Sequence, residues 1–131
     1  MKILIVEDDF VSRTILQEYL NLYGTTHIAV NGKEAIAAVK AADAINAPYD
    51  LICLDVMMPE MSGQEALRAI RDIEEAKGIF SSEGAKIMMT TALNDVKIVS
   101  VAFQGLCDAY LVKPIRKEKL LCELRNLKII P

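Results

Sequence analysis

Apolar and polar positions fall in blocks along the chain, and the spacing inside the blocks switches between two periods. Residues 2–7 are a short Ile/Leu/Val run closed by acids, the mark of a strand buried on both faces. Over residues 10–23 the period becomes helical, with Ile15, Leu16, Tyr19, Leu20 and Tyr23 on one face and Gly24 placed as the C-cap. Residues 26–30 read as a second strand. Asn31-Gly32 opens a helix with Glu34 and Ala35 in its first turn, running to about residue 45, and Pro48 breaks it. A third strand spans residues 50–55 and again ends in an acid. Ser62, with Glu65 three residues on, makes a capping box for a helix over about 63–77. Residues 78–85 form a loop slightly longer than usual for such units. A strand at 86–91, a helix capped by Asn94 and running to about 104, a strand at 109–112 and a helix over 117–127 complete the pattern.

Five strand–helix units with near-continuous apolar strands imply a doubly wound α/β fold. The sheet is expected to be parallel, covered on both faces and joined by right-handed crossovers. No repeat or linker interrupts the pattern, so residues 1–131 read as a single domain, with no residues left for an output domain. With 131 residues, 53% hydrophobic and 25% charged, the chain can bury a core and is too apolar for disorder. A net charge of −3 excludes a sequence-independent grip on nucleic acid. No apolar run approaches the roughly 20 residues of a membrane span, and the N-terminal run is too short for a signal peptide. Cys53, Cys107 and Cys122 are odd in number and lack a CxxC, which disfavours a disulfide framework or a zinc site. The expectation is a soluble cytoplasmic domain.

In a doubly wound sheet, ligands sit beyond the carboxyl ends of the strands. Those ends carry Glu7, Asp8 and Asp9 on the first strand, Asp55 on the third, Thr90-Thr91 on the fourth and Lys113 before Pro114 on the fifth. Crowded carboxylates repel one another unless a cation neutralises them, and oxygen ligands with room for water suit Mg²⁺. A lone Asp facing a metal, an amine and a hydroxyl has the parts of a carboxylate nucleophile for phosphoryl transfer. Other polar or soft residues read as structural. Cys53 is a small core residue, His27 has no ligand-type neighbour in sequence, and the methionines at 57, 58, 61, 88 and 89 are packing. Thr90 faces away from Thr91, as adjacent strand residues do.

The constellation resembles the receiver domain of two-component response regulators, of the chemotaxis-regulator-like kind. The resemblance rests on Ile3-Leu4-Ile5-Val6-Glu7-Asp8-Asp9, the run from Asp50 to Gly63 with Asp55 at its centre, Met89-Thr90-Thr91-Ala92, and Asp108-Ala109-Tyr110-Leu111-Val112-Lys113-Pro114. It implies a flavodoxin-like five-stranded parallel sheet in the order 2-1-3-4-5. The first and fifth helices would lie on one face, the second to fourth on the other. Carried over by position, Asp55 is the phosphoacceptor, Asp8 a direct Mg²⁺ ligand, Glu7 a ligand directly or through water, and the Met57 backbone carbonyl completes the metal set. Thr91 is the switch hydroxyl, Lys113 the amine that pairs with the phosphoryl group, and Tyr110 the aromatic that changes rotamer with it. Asp9 lies one place beyond the acid pair and is left as a spectator. Two departures stand out: Ser62 replaces a common Asp, and Leu106 replaces a common Gly four residues before the aromatic, which could alter the turn into the fifth strand.

The function so implied is a stand-alone switch, not a turnover enzyme. It would take a phosphoryl group from a sensor histidine kinase or histidine phosphotransfer protein and signal through the fourth helix, fifth strand and fifth helix to a separate output protein. Ile98 and Val101 on the fourth helix would serve a partner contact or a phosphorylation-favoured homodimer. Met57 and Leu93, apolar residues beside the acceptor, imply slow self-dephosphorylation. Two alternatives stay open. An aspartyl-nucleophile phosphatase would need a second acid two residues after the nucleophile, where Met57 stands; a binding-only receiver would not need the intact acid set.

Overall fold

The computed structural model describes residues 1–80, 83–92 and 106–131. Its strands are β1 (Lys2–Val6), β2 (Thr25–Ala29), β3 (Leu51–Asp55), β4 (Lys86–Thr91) and β5 (Ala109–Val112). Its helices over the described residues are α1 (Phe10–Leu20), α2 (Gly32–Ala44), α3 (Gly63–Ala76) and α4 (Lys117–Asn126). The helix expected at 94–104, with Ile98 and Val101, lies outside the described residues, as does Leu93. All five strands are parallel, in the order β2-β1-β3-β4-β5. Among the described residues no helix is long and apolar enough to cross a membrane.

The central strands are apolar at successive positions because helices cover both faces. On one face Ile3, Ile5, Cys53 and Met88 pack with Leu16 and Leu20 of α1 and Leu120 and Leu124 of α4. On the other, Leu4, Val6, Ile52, Leu54 and Met89 pack with Ala35 and Val39 of α2 and Leu67 and Ile70 of α3. Three of the described helices start on side-chain caps. Asp9 accepts from the Ser12 N–H at 2.9 Å and Asn31 from the Glu34 N–H at 2.8 Å. The Ser62–Glu65 capping box is formed in full.

Two expectations about the first helix are corrected. It ends at Leu20 with Asn21 as its cap, so Gly24 is not the cap. Gly24 instead lies against the Met1 carbonyl, where any Cβ would collide, and the Thr25 N–H donates to that same carbonyl at 2.9 Å. Glycine is needed there so that β2 can begin beside the start of β1. Ile15 is 37% exposed, because the buried line of α1 follows Leu16 and Leu20 at i, i+4 and Ile15 sits about 100° around the helix.

Candidate functional site

Strand register brings the acids level. Val6 pairs with Leu54, so Glu7 and Asp55 leave adjacent strands side by side; Asp55 in turn pairs with Thr90, and Thr91 with Val112. Glu7 and Asp55 are buried and Asp8 is exposed. One carboxylate oxygen from each of Glu7, Asp8 and Asp55 lies within 4.8 Å of the other two. Lys113, the residue after β5, reaches back across the sheet end. Its Nζ is 2.7 Å from Glu7 Oε1 and 3.0 Å from Asp55 Oδ1. The backbone holds it there through its N–H, which donates to the Thr91 carbonyl at 2.8 Å.

Among the described residues Lys113 pairs with two buried carboxylates, Glu7 and Asp55, and burial and that shared cation set the titration behaviour. Burial pushes the Glu7 carboxyl up from 4.5 to about 7; the Lys113 hydrogen bond opposes the rise and the Asp55 carboxylate adds to it. For Lys113, burial works against the charged form, but the hydrogen bonds and charges of Glu7 and Asp55 outweigh it and leave the ammonium above its ordinary range. A divalent cation would remove the repulsion. The donors are all oxygens, two of the carboxylates are fixed by burial, and exposed Asp8 leaves an open side for water. That combination suits Mg²⁺ better than a closed protein cage.

The remaining residues singled out in the sequence are distributed around this cluster. Met57, two residues past Asp55, points its side chain to solvent and is 67% exposed. Thr91 is buried at the end of β4, and its hydroxyl donates to the Ala92 carbonyl at 3.3 Å. Tyr110, half-buried, pairs by register with Met89 and packs with the α2/α3 side of the core. Asp9 caps α1 rather than joining the acids, yet its N–H donates to Glu7 Oε2 at 3.2 Å and so helps hold that carboxylate. Gly63 lies against the Asp55 carbonyl, where a Cβ would collide, and its N–H donates to Val56 at 2.9 Å. The glycine lets α3 start directly over the acid.

Cys53 is buried and inert, its thiol pushed up to about 12 by burial. His27 is engaged by the Tyr49 hydroxyl, 2.7 Å from its Nδ1. Sequence reading passed over Arg71. Its side chain is 5% exposed and ion-paired to Glu74 at 2.6 Å and Asp108 at 3.0 Å. The signal was present: Arg71 and Glu74 fall on the same helical face as Leu67 and Ile70, and charges on a core stripe ask for buried partners.

Comparison with known proteins places this geometry among relatives. A family model described as "Response regulator receiver domain" matches residues 3–125. The chain is similar to the transcriptional regulatory protein CitT of Halalkalibacterium halodurans, 34% identical over 119 residues that span 91% of the chain and 48% of the relative. It is also similar to hybrid signal transduction histidine kinase B of Dictyostelium discoideum, 36% identical over 129 residues, 94% of the chain and 6% of the kinase. The chain thus spans half or less of these curated relatives. Among solved structures it resembles chemotaxis protein CheY4 of Vibrio cholerae (30% identity, TM-score 0.72, covering 96% of this chain and 97% of that one). A second is the receiver domain of the histidine kinase CKI1 of Arabidopsis thaliana, complexed with Mg²⁺ and BeF₃⁻ (26% identity, TM-score 0.76, 97% and 89%).

Proposed function

We propose that this chain, which belongs to the response regulator receiver domain family, is a Mg²⁺-dependent phospho-acceptor switch with Asp55 as the acceptor. One observation carries the reading: a buried Asp55 carboxylate with Lys113 Nζ 3.0 Å away and the Glu7 and Asp8 carboxylates beside it. An Asp55 oxygen attacks the phosphorus of a phosphohistidine on a histidine kinase or histidine phosphotransfer protein. The new O–P bond forms as the P–N bond breaks, and the imidazole nitrogen leaves with the electron pair. Lys113 meets the charge on the transferred oxygens and the Thr91 hydroxyl hydrogen-bonds one of them. When bound, Mg²⁺ neutralises charge on the same oxygens; Glu7, Asp8, Asp55 and the Met57 carbonyl would hold it.

The acyl phosphate stays on Asp55 until water removes it, so the protein works as a switch and not by turnover. Tyr110 and Thr91 pass the change to the surface made by β5 and α4. An output partner or a second copy of the chain reads that surface in the cytoplasm. The test is phosphoryl transfer from a phosphorylated histidine phosphotransfer domain with and without EDTA. Transfer in Mg²⁺ and none in EDTA supports the reading; equal transfer in both, or none in either, counts against it.

A further inference from the structure

We propose that Arg71 is a positioning residue for Lys113, acting through Asp108 and the first residues of β5. The inference rests on the role given to Lys113 above. Arg71 Nε donates to the Leu106 carbonyl at 2.7 Å and Nη2 to Asp108 Oδ2 at 3.0 Å. Nη1 donates to Glu74 Oε1 at 2.6 Å and to the Ala85 carbonyl at 2.9 Å. The same Asp108 oxygen accepts the Ile87 N–H at 2.8 Å, while the Asp108 N–H donates to the Ile87 carbonyl at 2.8 Å. Asp108 therefore joins α3, β4 and the base of β5 at one point.

That point matters because β5 is short and, among the described strands, pairs with β4 alone. A four-residue edge strand has few ladder bonds to hold its register, and a slip of one residue would turn Lys113 to the opposite face. From Asp108 to Lys113 the chain covers about 16 Å at roughly 3.3 Å per residue, so a shift at the base is carried along an extended, stiff segment. The planar guanidinium fork can hold the Leu106 carbonyl and the Asp108 carboxylate together, which a lysine ammonium cannot match. Glu74 and Asp108 together compensate its buried charge. The hydrogen bonds of Arg71 go to Leu106, Asp108, Glu74 and Ala85 and to none of Glu7, Asp8 and Asp55, so a change at Asp108 reaches the carboxylates only through Lys113.

Asp108→Asn is the informative variant, because its amide oxygen can still accept the Ile87 N–H while the charge that holds Arg71 is gone. Asp55 labelling by acetyl phosphate at saturating Mg²⁺ should slow by about tenfold, within the roughly 10²-fold that an ångström of misplacement can cost. The Lys113 amide resonance should move, and labelling at saturating Mg²⁺ keeps any change in Mg²⁺ affinity out of the rate. Arg71→Lys should label at an intermediate rate. Ile70→Val, a core change on the same helix, controls for lost stability and should label at the wild-type rate. Wild-type labelling by Asp108→Asn with an unmoved Lys113 resonance overturns the proposal, as does equal slowing in Ile70→Val. If the wild-type protein takes no label, the phospho-acceptor reading fails. The Lys113 resonance then decides this proposal: it holds if Asp108→Asn moves it and Ile70→Val does not.

Discussion

Lys113 Nζ donates to Glu7 Oε1 at 2.7 Å across 106 residues of sequence, closing the far strand of the sheet onto the first. The same ammonium reaches Asp55 at 3.0 Å. Replacing it with Met leaves two buried carboxylates facing each other without a counter-charge. We expect Lys113→Met to lose about 1–3 kcal/mol of metal-free stability in urea melts, and to regain part of it in Mg²⁺. A loss unaffected by Mg²⁺ would show that Lys113 and the metal do not share the same charge.

Glu7 gives a pH dependence with a definite sign. Its carboxyl titrates at about 7 in the fold against 4.5 as its ordinary value, so the folded state favours the protonated form. The stability this supplies is complete below pH 4.5 and is lost as pH rises through about 7. A metal ion competes with that proton, so Mg²⁺ should bind more tightly as pH rises through the same window. Calorimetric titrations on either side of it should show the trend, and Glu7→Gln should flatten it. A Glu7→Gln protein with the wild-type pH profile would remove Glu7 from this role.

Gly63→Ala tests the close approach of α3 to the acceptor strand. A Cβ at residue 63 would run into the Asp55 carbonyl, which is backbone and cannot swing away. We expect a loss of about 1–3 kcal/mol, with slower labelling of Asp55. Ser62→Ala, which removes the capping box from the same turn, should cost about 1 kcal/mol and leave labelling intact. Calorimetric melting of the two proteins checks the order.

Met57 is 67% exposed and two residues beyond Asp55. An apolar thioether cannot orient an attacking water, so the phosphorylated protein should decay slowly. Met57→Asn, which offers a polar group at the same place, should shorten the half-life severalfold in a labelled-phosphate decay assay. An unchanged half-life would take Met57 out of the control of hydrolysis.

Much of the fold is written as periodicity. Lys86–Thr91 and Ala109–Val112 match their sequence reading residue for residue, because each apolar run is bounded by a loop with turn residues or by Lys-Pro. The site acids were legible because strand-end carboxylates interrupt those runs. Less legible was anything set by a partner far along the chain. Ile15 fits a helical apolar face in sequence, yet the sheet meets Leu16 and Leu20 and leaves Ile15 at the edge of the contact. Gly24 looks like a helix cap, but its purpose depends on the Met1 carbonyl across the strand pair. Arg71 lies on the core stripe of its helix in sequence, but the partners that explain it, Leu106 and Asp108, are 35 and 37 residues away.

Whether Asp55 carries the phosphoryl group is the most direct question to put to the protein. Wild-type protein treated with acetyl phosphate and Mg²⁺, trapped by borohydride reduction and mapped by tandem mass spectrometry, should carry the modification at Asp55. The Asn variant at that position should carry none, since an amide does not serve as the nucleophile. A modification mapped to Glu7, Asp8 or any other residue in the wild type, or wild-type labelling of Asp55→Asn, would contradict Asp55 as the acceptor.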